Sequence, residues 1–398
     1  NDLLLLDGDY SAGVTVTATT LKNIERIVVT VGHDYVLAGF TDANFGPTAS
    51  VDASALSAGD TLKFGALGAT RAIAITGGLG ADTLTGGSGA DTITGGGGHD
   101  KLNGAGGNDQ IVLGGENEQV LGGDGDDLIT DDLTAGFRTG DRIDGGTGND
   151  TVLLSGVYGS GDPLVFGDKT IQNVETLNFS QHPFNVVMAD GNVAAGQTLN
   201  VYGVYGLTFD GSAETDGHFN ISVYPSSGLI HAGQLSDTIQ GGNHGGAYYG
   251  EGGDDTITGG SYRDVLDGGD GDDQLFGGQG SDTLNGGLGA DTLDGGKKPD
   301  TFVFDRAQDS TDAATDLIKG LGNTEVIDLH GIDADVNTAG DQAFHLVASF
   351  SGQAGELTLS FDSVRHQTVM AGDIDGDGQG DFVVDIAGDH TDFTNFVL

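Results

Sequence analysis

The chain is constrained above all by a nine-residue period. From Gly250 six successive units read GEGGDDTIT, GGSYRDVLD, GGDGDDQLF, GGQGSDTLN, GGLGADTLD and GGKKPDTFV. Their shared pattern is Gly-Gly-x-Gly-x-Asp-x-U-x, with U aliphatic or aromatic. Asp255, Asp264, Asp273, Asp282, Asp291 and Asp300 hold position six, and Ile257, Leu266, Leu275, Leu284, Leu293 and Phe302 hold position eight. The triplet around U reads as a short strand in which U alone points inward, because side chains alternate along a strand. Burying one such side chain per nine residues returns less than fixing a glycine-rich backbone costs. Something besides apolar packing must hold the units together.

The residue types point to a hard cation. Glycines at positions one, two and four let the backbone turn its carbonyl oxygens toward one point. Calcium accepts six to eight oxygens, from carboxylates and carbonyls alike. One glycine loop with its Asp supplies half a site, and a stacked neighbour supplies the rest. Such an array is expected to be unfolded or expanded without calcium, because ion binding and folding share one free energy.

A second array lies earlier in the chain. It runs GGLGADTLT from Gly77, GGSGADTIT, GGGGHDKLN and GAGGNDQIV, then an irregular GGENEQVL from Gly114, then GGDGDDLIT from Gly122. Asp82, Asp91, Asp100, Asp109 and Asp127 are its ligand candidates. The eight-residue unit lacks the position-six Asp and is expected to leave a gap in the ion row. After a spacer from Asp131 to Asp144, the unit GGTGNDTVL from Gly145 adds Asp150. Asp237 stands in the same setting before Gly241. The unit from Gly241, GGNHGGAYY, has Gly246 where Asp belongs, which puts a site there in doubt, and Tyr262, Lys298 and Pro299 weaken their own loops.

The regions between the arrays echo each other. NDLLLLDGDY from Asn1 resembles NDTVLLSGVY from Asn149, LKNIERIVVT from Leu21 resembles IQNVETLNFS from Ile171, and ALSAGDTLKF from Ala55 resembles NVAAGQTLNV from Asn192. Asn1 and Asp2 thus read as the second half of a unit, and the chain as a duplication. Short β-branched and aromatic runs separated by Gly, Asp and Asn read as strands. Glu25 and Glu175, within the Asn-Ile/Val-Glu echo, read as solvated residues at strand edges. Tyr202, Tyr205, Phe209, Phe219, Tyr224, Tyr248 and Tyr249 read as core of the second β-rich module, with a sugar-binding or self-association surface as the other use for such rings.

Composition narrows the partners. The formal net charge is -46, with sixty acids against fourteen bases, which excludes nucleic acid as a partner and disfavours anionic membranes. Only eight of the acids are Glu, and much of the Asp excess sits at repeat positions, as ion coordination requires and a salt-adapted surface does not. There is no cysteine, so neither disulfides nor thiolate sites are available. No apolar run approaches the length of a membrane span, and the expectation is export without an N-terminal signal peptide.

These arrays resemble the RTX family of calcium-binding proteins exported by bacterial type I secretion systems. The resemblance implies a parallel β-roll with two units per turn, so that ions sit between unit n and unit n+2. The sharing pairs would be Asp237 with Asp255, Asp255 with Asp273, Asp264 with Asp282, Asp273 with Asp291, and Asp282 with Asp300. From Asp300 onward, DTFVFD, DLIKGLGNTEVIDLHGID and MAGDIDGDGQGDFVVDI resemble the C-terminal domain of serralysin-type secreted proteins, with Gly320-Leu321 where that family more often has Asp-Phe. The end, DFTNFVL, resembles a type I secretion signal. Asp373, Asp375, Asp377 and Asp381 fall at positions one, three, five and nine of an EF-hand-like loop, with Gly378 at the turn and Val384 where the closing Glu belongs. That loop reads equally as a calcium site and as a structural turn.

Chemistry of other kinds is missing from the sequence. There is no H-E-x-x-H, no G-x-S-x-G elbow, no Walker loop and no cysteine nucleophile. The ten histidines are scattered. The expectation is an all-β, solenoid-like protein with β-rich modules at 1–76 and 154–231, RTX rolls at 77–153 and 232–303, and a secretion-type domain at 304–398. Its expected role is structural and non-enzymatic: an extracellular, cell-surface calcium-binding protein of surface-layer, matrix or adhesin type that self-associates into a lattice or filament after export by type I machinery. The rival expectation is the export and folding portion of a secreted enzyme whose catalytic domain lies before Asn1.

Overall fold

Threonine, isoleucine, leucine and valine fill the short runs between glycine turns, and these β-branched and aliphatic triplets all take the extended conformation. The computed structural model describes residues 2–131, 137–138, 140–156 and 163–398. Asn1, part of the spacer and residues 157–158 of the second echo lie outside them. Among the described residues the only helical segment is a 3-10 turn at Ala307–Asp309, and no helix is long and apolar enough to cross a membrane. The protein is all-β and consists of stacked parallel coils, a β-roll. It divides into two compact units, Asn1–Val204 and Tyr205–Leu398.

The first unit winds between two parallel sheets. On one face, the inward column is Leu4, Ile27, Val51, Ile75, Ile93, Ile111, Ile129, Val152, Leu177 and Val201, each in register with the next. On the other, it is Leu37, Phe64, Leu84, Leu102, Val120, Ile143 and Ile171. These columns cross from module to array without a break, so the β-rich stretches are wider coils of the roll that the nine-residue units continue. Two further strands, Leu164–Phe166 and Phe184–Met188, pair in parallel beside them.

The second unit repeats the plan. One column is Ile221, Ile239, Ile257, Leu275, Leu293, Ile318 and Ile386, and the other Phe209, Ile230, Tyr248, Leu266, Leu284, Phe302, Ile327 and Phe396. Between successive nine-residue units each step is eighteen residues, two units per turn, and across the spacer of the first array it widens, as from Val120 to Ile143. The last part departs from the roll: Glu356–Asp362, Gln367–Asp373 and Phe382–Ala387 form an antiparallel meander, joined to the roll through Asp316–Lys319.

Crowding at the turns explains the glycines. Gly287, at position two, has φ +92, and a Cβ there would run into the carbonyl of Gly269 one turn below. Only glycine takes such a conformation without strain.

The echoes are kept unevenly. Asn23 and Asn173 both adopt left-handed backbone, with φ of 54 and 48, and both precede a strand of the same sheet. The echo of Ala55 with Asn192 is not carried into equivalent strands, since Leu62–Gly65 lies in one sheet and Thr198–Gly203 in the other. What they share is the tight turn before each strand, closed by Asp60 N–H to Ser57 O and Gln197 N–H to Ala194 O. The aromatic cluster divides too. Phe209, Phe219 and Tyr248 are core, whereas Tyr202, Tyr205 and Tyr224 are exposed, and Tyr249 lies flat against His231 with ring centroids 4.4 Å apart.

Candidate metal centre

The position-six aspartates form continuous rows down the rolls. In the second unit, Asp237 N–H donates to Asp255 Oδ1 at 2.6 Å, Asp255 N–H to Asp273 at 2.7 Å, and Asp273 N–H to Asp291 at 2.8 Å. On the opposite side, Asp264 N–H donates to Asp282 and Asp282 N–H to Asp300, both at 2.8 Å. The n to n+2 pairing implied by the resemblance is therefore the pairing the roll contains. In the first unit the rows run Asp82 to Asp100, and Asp91 to Asp109 to Asp127 to Asp150. All of these aspartates are buried.

One carboxylate oxygen is spent on this ladder, and the other faces the glycine turn. At Asp82 and Asp91 the second oxygen accepts the position-two amide, from Gly78 and Gly87, both at 2.6 Å. At Asp100, Asp109, Asp127, Asp150, Asp255, Asp264, Asp273, Asp282 and Asp291, Oδ2 is buried with no hydrogen-bond partner. A Cβ on Gly250 would meet both Asp255 Oδ2 and the carbonyl oxygen of Gly268, and one on Gly268 would meet Asp273 Oδ2 and Gly286 O. Carboxylate and carbonyl oxygens thus converge on a cradle that exists only because position one lacks a side chain. Such an all-oxygen donor set fits calcium.

The electrostatics agree. Burial, opposed in part by the ladder hydrogen bonds and reinforced by neighbouring aspartates, pushes Asp255 up to about 9 and Asp273 to about 8. Burial likewise takes Asp264 and Asp291 to about 7. Stacked carboxylates out of water disfavour their own charge, and a cation held between them restores it.

Several residues that the nine-residue pattern did not mark also join the rows. Asp316 continues the row beyond the array, taking Asp291 N–H at 2.9 Å and leaving its own Oδ2 buried and unpartnered. Glu175 accepts Asp150 N–H at 2.6 Å, and Glu25 accepts Asp2 N–H at 2.6 Å. The expectation that these two glutamates are merely solvated is therefore corrected: both are half-buried, and both hold the coil before them as the aspartates do. At the unit from Gly114, Glu118 occupies the position-six slot and its amide donates to Asp141 Oδ1, while its carboxylate takes the Gly114 and Gly115 amides. The signal common to all of them is an acid two residues before the inward aliphatic: Asp316-Leu317-Ile318, Glu175-Thr176-Leu177, Glu25-Arg26-Ile27 and Glu118-Gln119-Val120.

At Gly246 the doubt about a site is supported by what fills the space. A Cβ on Gly241 would meet Tyr248 Oη, where a Cβ on Gly250 meets a carboxylate. The phenol thus stands in the slot of the missing Asp. It is fully buried, its hydroxyl makes no hydrogen bond, and burial pushes it up to about 12.

The C-terminal loop differs in kind. Asp373, Asp375 and Asp377 bring one carboxylate oxygen each within 4.8 Å of one another. Asp373 is buried and holds the loop by accepting Gly376 N–H at 2.7 Å and Gly378 N–H at 2.9 Å. Asp381 accepts Ile374 N–H at 2.9 Å. Val384, where an EF-hand would carry its Glu, is buried in the strand Phe382–Ala387. The same carboxylates thus close the hairpin and converge on one point, an arrangement that serves a structural turn and a calcium site alike.

Comparison with known families matches residues 248–398 to the family described as Peptidase M10 serralysin C terminal. Residues 76–111 and 136–154 match the RTX calcium-binding nonapeptide repeat. Among solved structures, the AlgE6R3 subunit of the mannuronan C5-epimerase of Azotobacter vinelandii is 27% identical, over 36% of this chain and 77% of its own, with a TM-score of 0.28. The AlgE6R2 subunit of the same enzyme is 27% identical, over 36% of this chain and 91% of its own, with a TM-score of 0.27.

Proposed function

We propose that this chain, built from RTX calcium-binding nonapeptide repeats and carrying a C-terminal domain of the serralysin kind, is an extracellular structural protein that calcium folds and stiffens at the cell surface. The observation that carries this reading is the reach of the roll: parallel coils with buried acidic rows run through both units. Scaffold takes up the length in which an active site would have to sit, and the acids form rows instead of an isolated catalytic pair. Within this reading the chain itself is not an enzyme, and the cations are structural, closing one coil on the next but one.

The Asp rows would hold multiple calcium ions, one between each bonded pair. In the low-calcium cytosol the rows would repel and the chain would stay threadable for a type I exporter. Outside, millimolar calcium would fold it. Calcium also offsets much of the -46 charge that keeps copies apart, which supports assembly into a surface layer, matrix or filament. A calcium titration followed by light scattering and electron microscopy tests this. Ordered assemblies at millimolar calcium are expected. A monodisperse monomer under those conditions would transfer the reading to its rival.

That rival, the export and folding portion of a secreted enzyme, draws on the serralysin-type match over residues 248–398. Both readings expect export to depend on the C-terminal region. A chain ending before Ala343 is expected to remain inside cells that carry the cognate transporter, and its appearance in the medium would contradict both.

A further inference from the structure

The coil at Gly114 keeps the eighteen-residue step, with Val120 paired to Leu102 and Glu118 in the place of a position-six Asp; Leu113 stands where the position-one glycine belongs. Glu118 Oε1 accepts the amides of Gly115 at 2.7 Å and Gly114 at 3.1 Å, as Asp82 accepts Gly78. Its own N–H donates to Asp141 Oδ1 at 2.8 Å, so the ladder passes into the next coil, and Asp141 is fixed in turn by Arg138 N–H at 2.6 Å. Val120 stays in register between Leu102 and Ile143.

Two oxygens at this point have no partner. Glu118 is 0% exposed and Asp100 1% exposed, and Glu118 Oε2 and Asp100 Oδ2 are both buried without a hydrogen bond. The two carboxylates border the same space: a Cβ on Gly95 would meet Asp100 Oδ2 and would lie 3.3 Å from Glu118 Oε1, the oxygen that also accepts the Gly114 and Gly115 amides. Two buried carboxylates sharing a glycine cradle are costly unless a cation or a proton lies between them.

We propose that Asp100 and Glu118 form a further site for a hard divalent cation of calcium's class, so that the ion row of this face runs through the irregular unit instead of stopping there. The unit lies between the two stretches that match the nonapeptide family, residues 76–111 and 136–154, and its ligand is a glutamate. Asp141 is a positioning residue that holds the Glu118 backbone. The inference rests on the reading of the arrays as calcium sites. The alternative for Glu118 is a proton-bridged carboxyl pair that fills the slot without metal.

The test uses the full chain and calcium alone. Bound calcium is counted by elemental analysis after desalting in wild type and Glu118→Gln, and anomalous scattering locates the ions in wild-type crystals grown with calcium. We expect one ion fewer in Glu118→Gln and a wild-type anomalous peak between Asp100 and Glu118. An unchanged count, or peaks along Asp255, Asp273 and Asp291 with none beside Glu118, overturns the inference and leaves the arrays' reading intact. No bound calcium anywhere overturns both. Should Glu118→Gln fail to fold, the wild-type anomalous map decides alone.

Discussion

The nine-residue pattern fails at the unit from Gly114 in the first array and at the unit from Gly241 in the second, and opposite chemistry mends them. At Gly114 the position-one glycine is replaced by Leu113 and the position-six Asp by Glu118, which keeps a carboxylate in the slot. At Gly241 the loop has its full length but no position-six acid, and the ring of Tyr248 extends from position eight into the space. Both coils stay in register. A void at this place would cost packing all round it, so the slot must be filled. Whether the filling is charged is a separate matter. The first repair leaves the coil dependent on a cation, and the second does not.

Removing calcium is the widest way to break that comparison. With chelator, backbone amides along 77–131 and 140–150 are expected to lose hydrogen-exchange protection, and the far-ultraviolet β signal and melting temperature to fall. The coil of Phe209, Ile230 and Tyr248, packed on aromatic and aliphatic side chains, is expected to lose least. Equal protection along the whole chain with and without calcium would contradict both the role of the ion and the distinction between the repairs.

Acidity should partly replace the ion. Burial raises Asp255 to about 9 and Asp273 to about 8, from an ordinary value of 3.8. Between those limits the folded, calcium-free roll binds more protons than the unfolded chain, so its stability rises as pH falls through the window. In chelator, β signal is therefore expected to be greater near pH 5 than near pH 8, as about neutral carboxyls replace repelling charges. Circular dichroism at the two pH values reads this out. A calcium-free roll that gains stability with rising pH would show that the rows are held by something other than relief of buried charge.

Most of the roll was legible because its signal is periodic. A repeat of nine with an acid at six and an aliphatic at eight dictates a stacked strand triplet, and the n to n+2 partners follow once two units make a turn. The breaks were legible but what fills them was not: with Leu113 at position one the unit reads as one residue short, which hides that Glu118 holds position six, eighteen residues after Asp100. Asp316 was missed because 25 residues, not eighteen, separate it from Asp291; a wider loop hides the period but not the bonded position. Glu25 and Glu175 read as surface residues because their own loops carry no glycine pair. Tyr248 needed three dimensions, since only folding brings a position-eight ring into a position-six slot.

Within an intact row the position of an aspartate should set its weight. Asp273 accepts from Asp255 and donates to Asp291, and so stands between two cradles. Asp300 accepts from Asp282 and is followed by a half-buried Glu325 instead of a buried aspartate. Asp273→Ala orphans the buried Asp255 amide, worth about 1 to 3 kcal/mol, and removes a ligand from two ions. Asp300→Ala orphans the Asp282 amide in the same way but removes a ligand from only one ion. A larger drop in melting temperature and calcium affinity is expected for Asp273→Ala, and equal losses would argue against ions shared between alternate units.

The smallest effect isolates the uncharged repair. Tyr248→Phe removes a single oxygen that is buried and makes no hydrogen bond, while leaving the ring that fills the slot and packs between Ile230 and Leu266. Burying an unpaired hydroxyl is unfavourable, so its removal is expected to stabilise the roll by up to about 1 kcal/mol and to leave the calcium count unchanged. The neighbouring Asp264 sharpens the test, because its charge is one cause of the raised Tyr248 value and it holds the first carboxylate of its row after the break. If the phenol were a metal ligand, Tyr248→Phe would instead lower stability and lose an ion next to Asp264. Thermal melts and elemental analysis on this one variant separate the outcomes, since a filler and a ligand predict opposite signs.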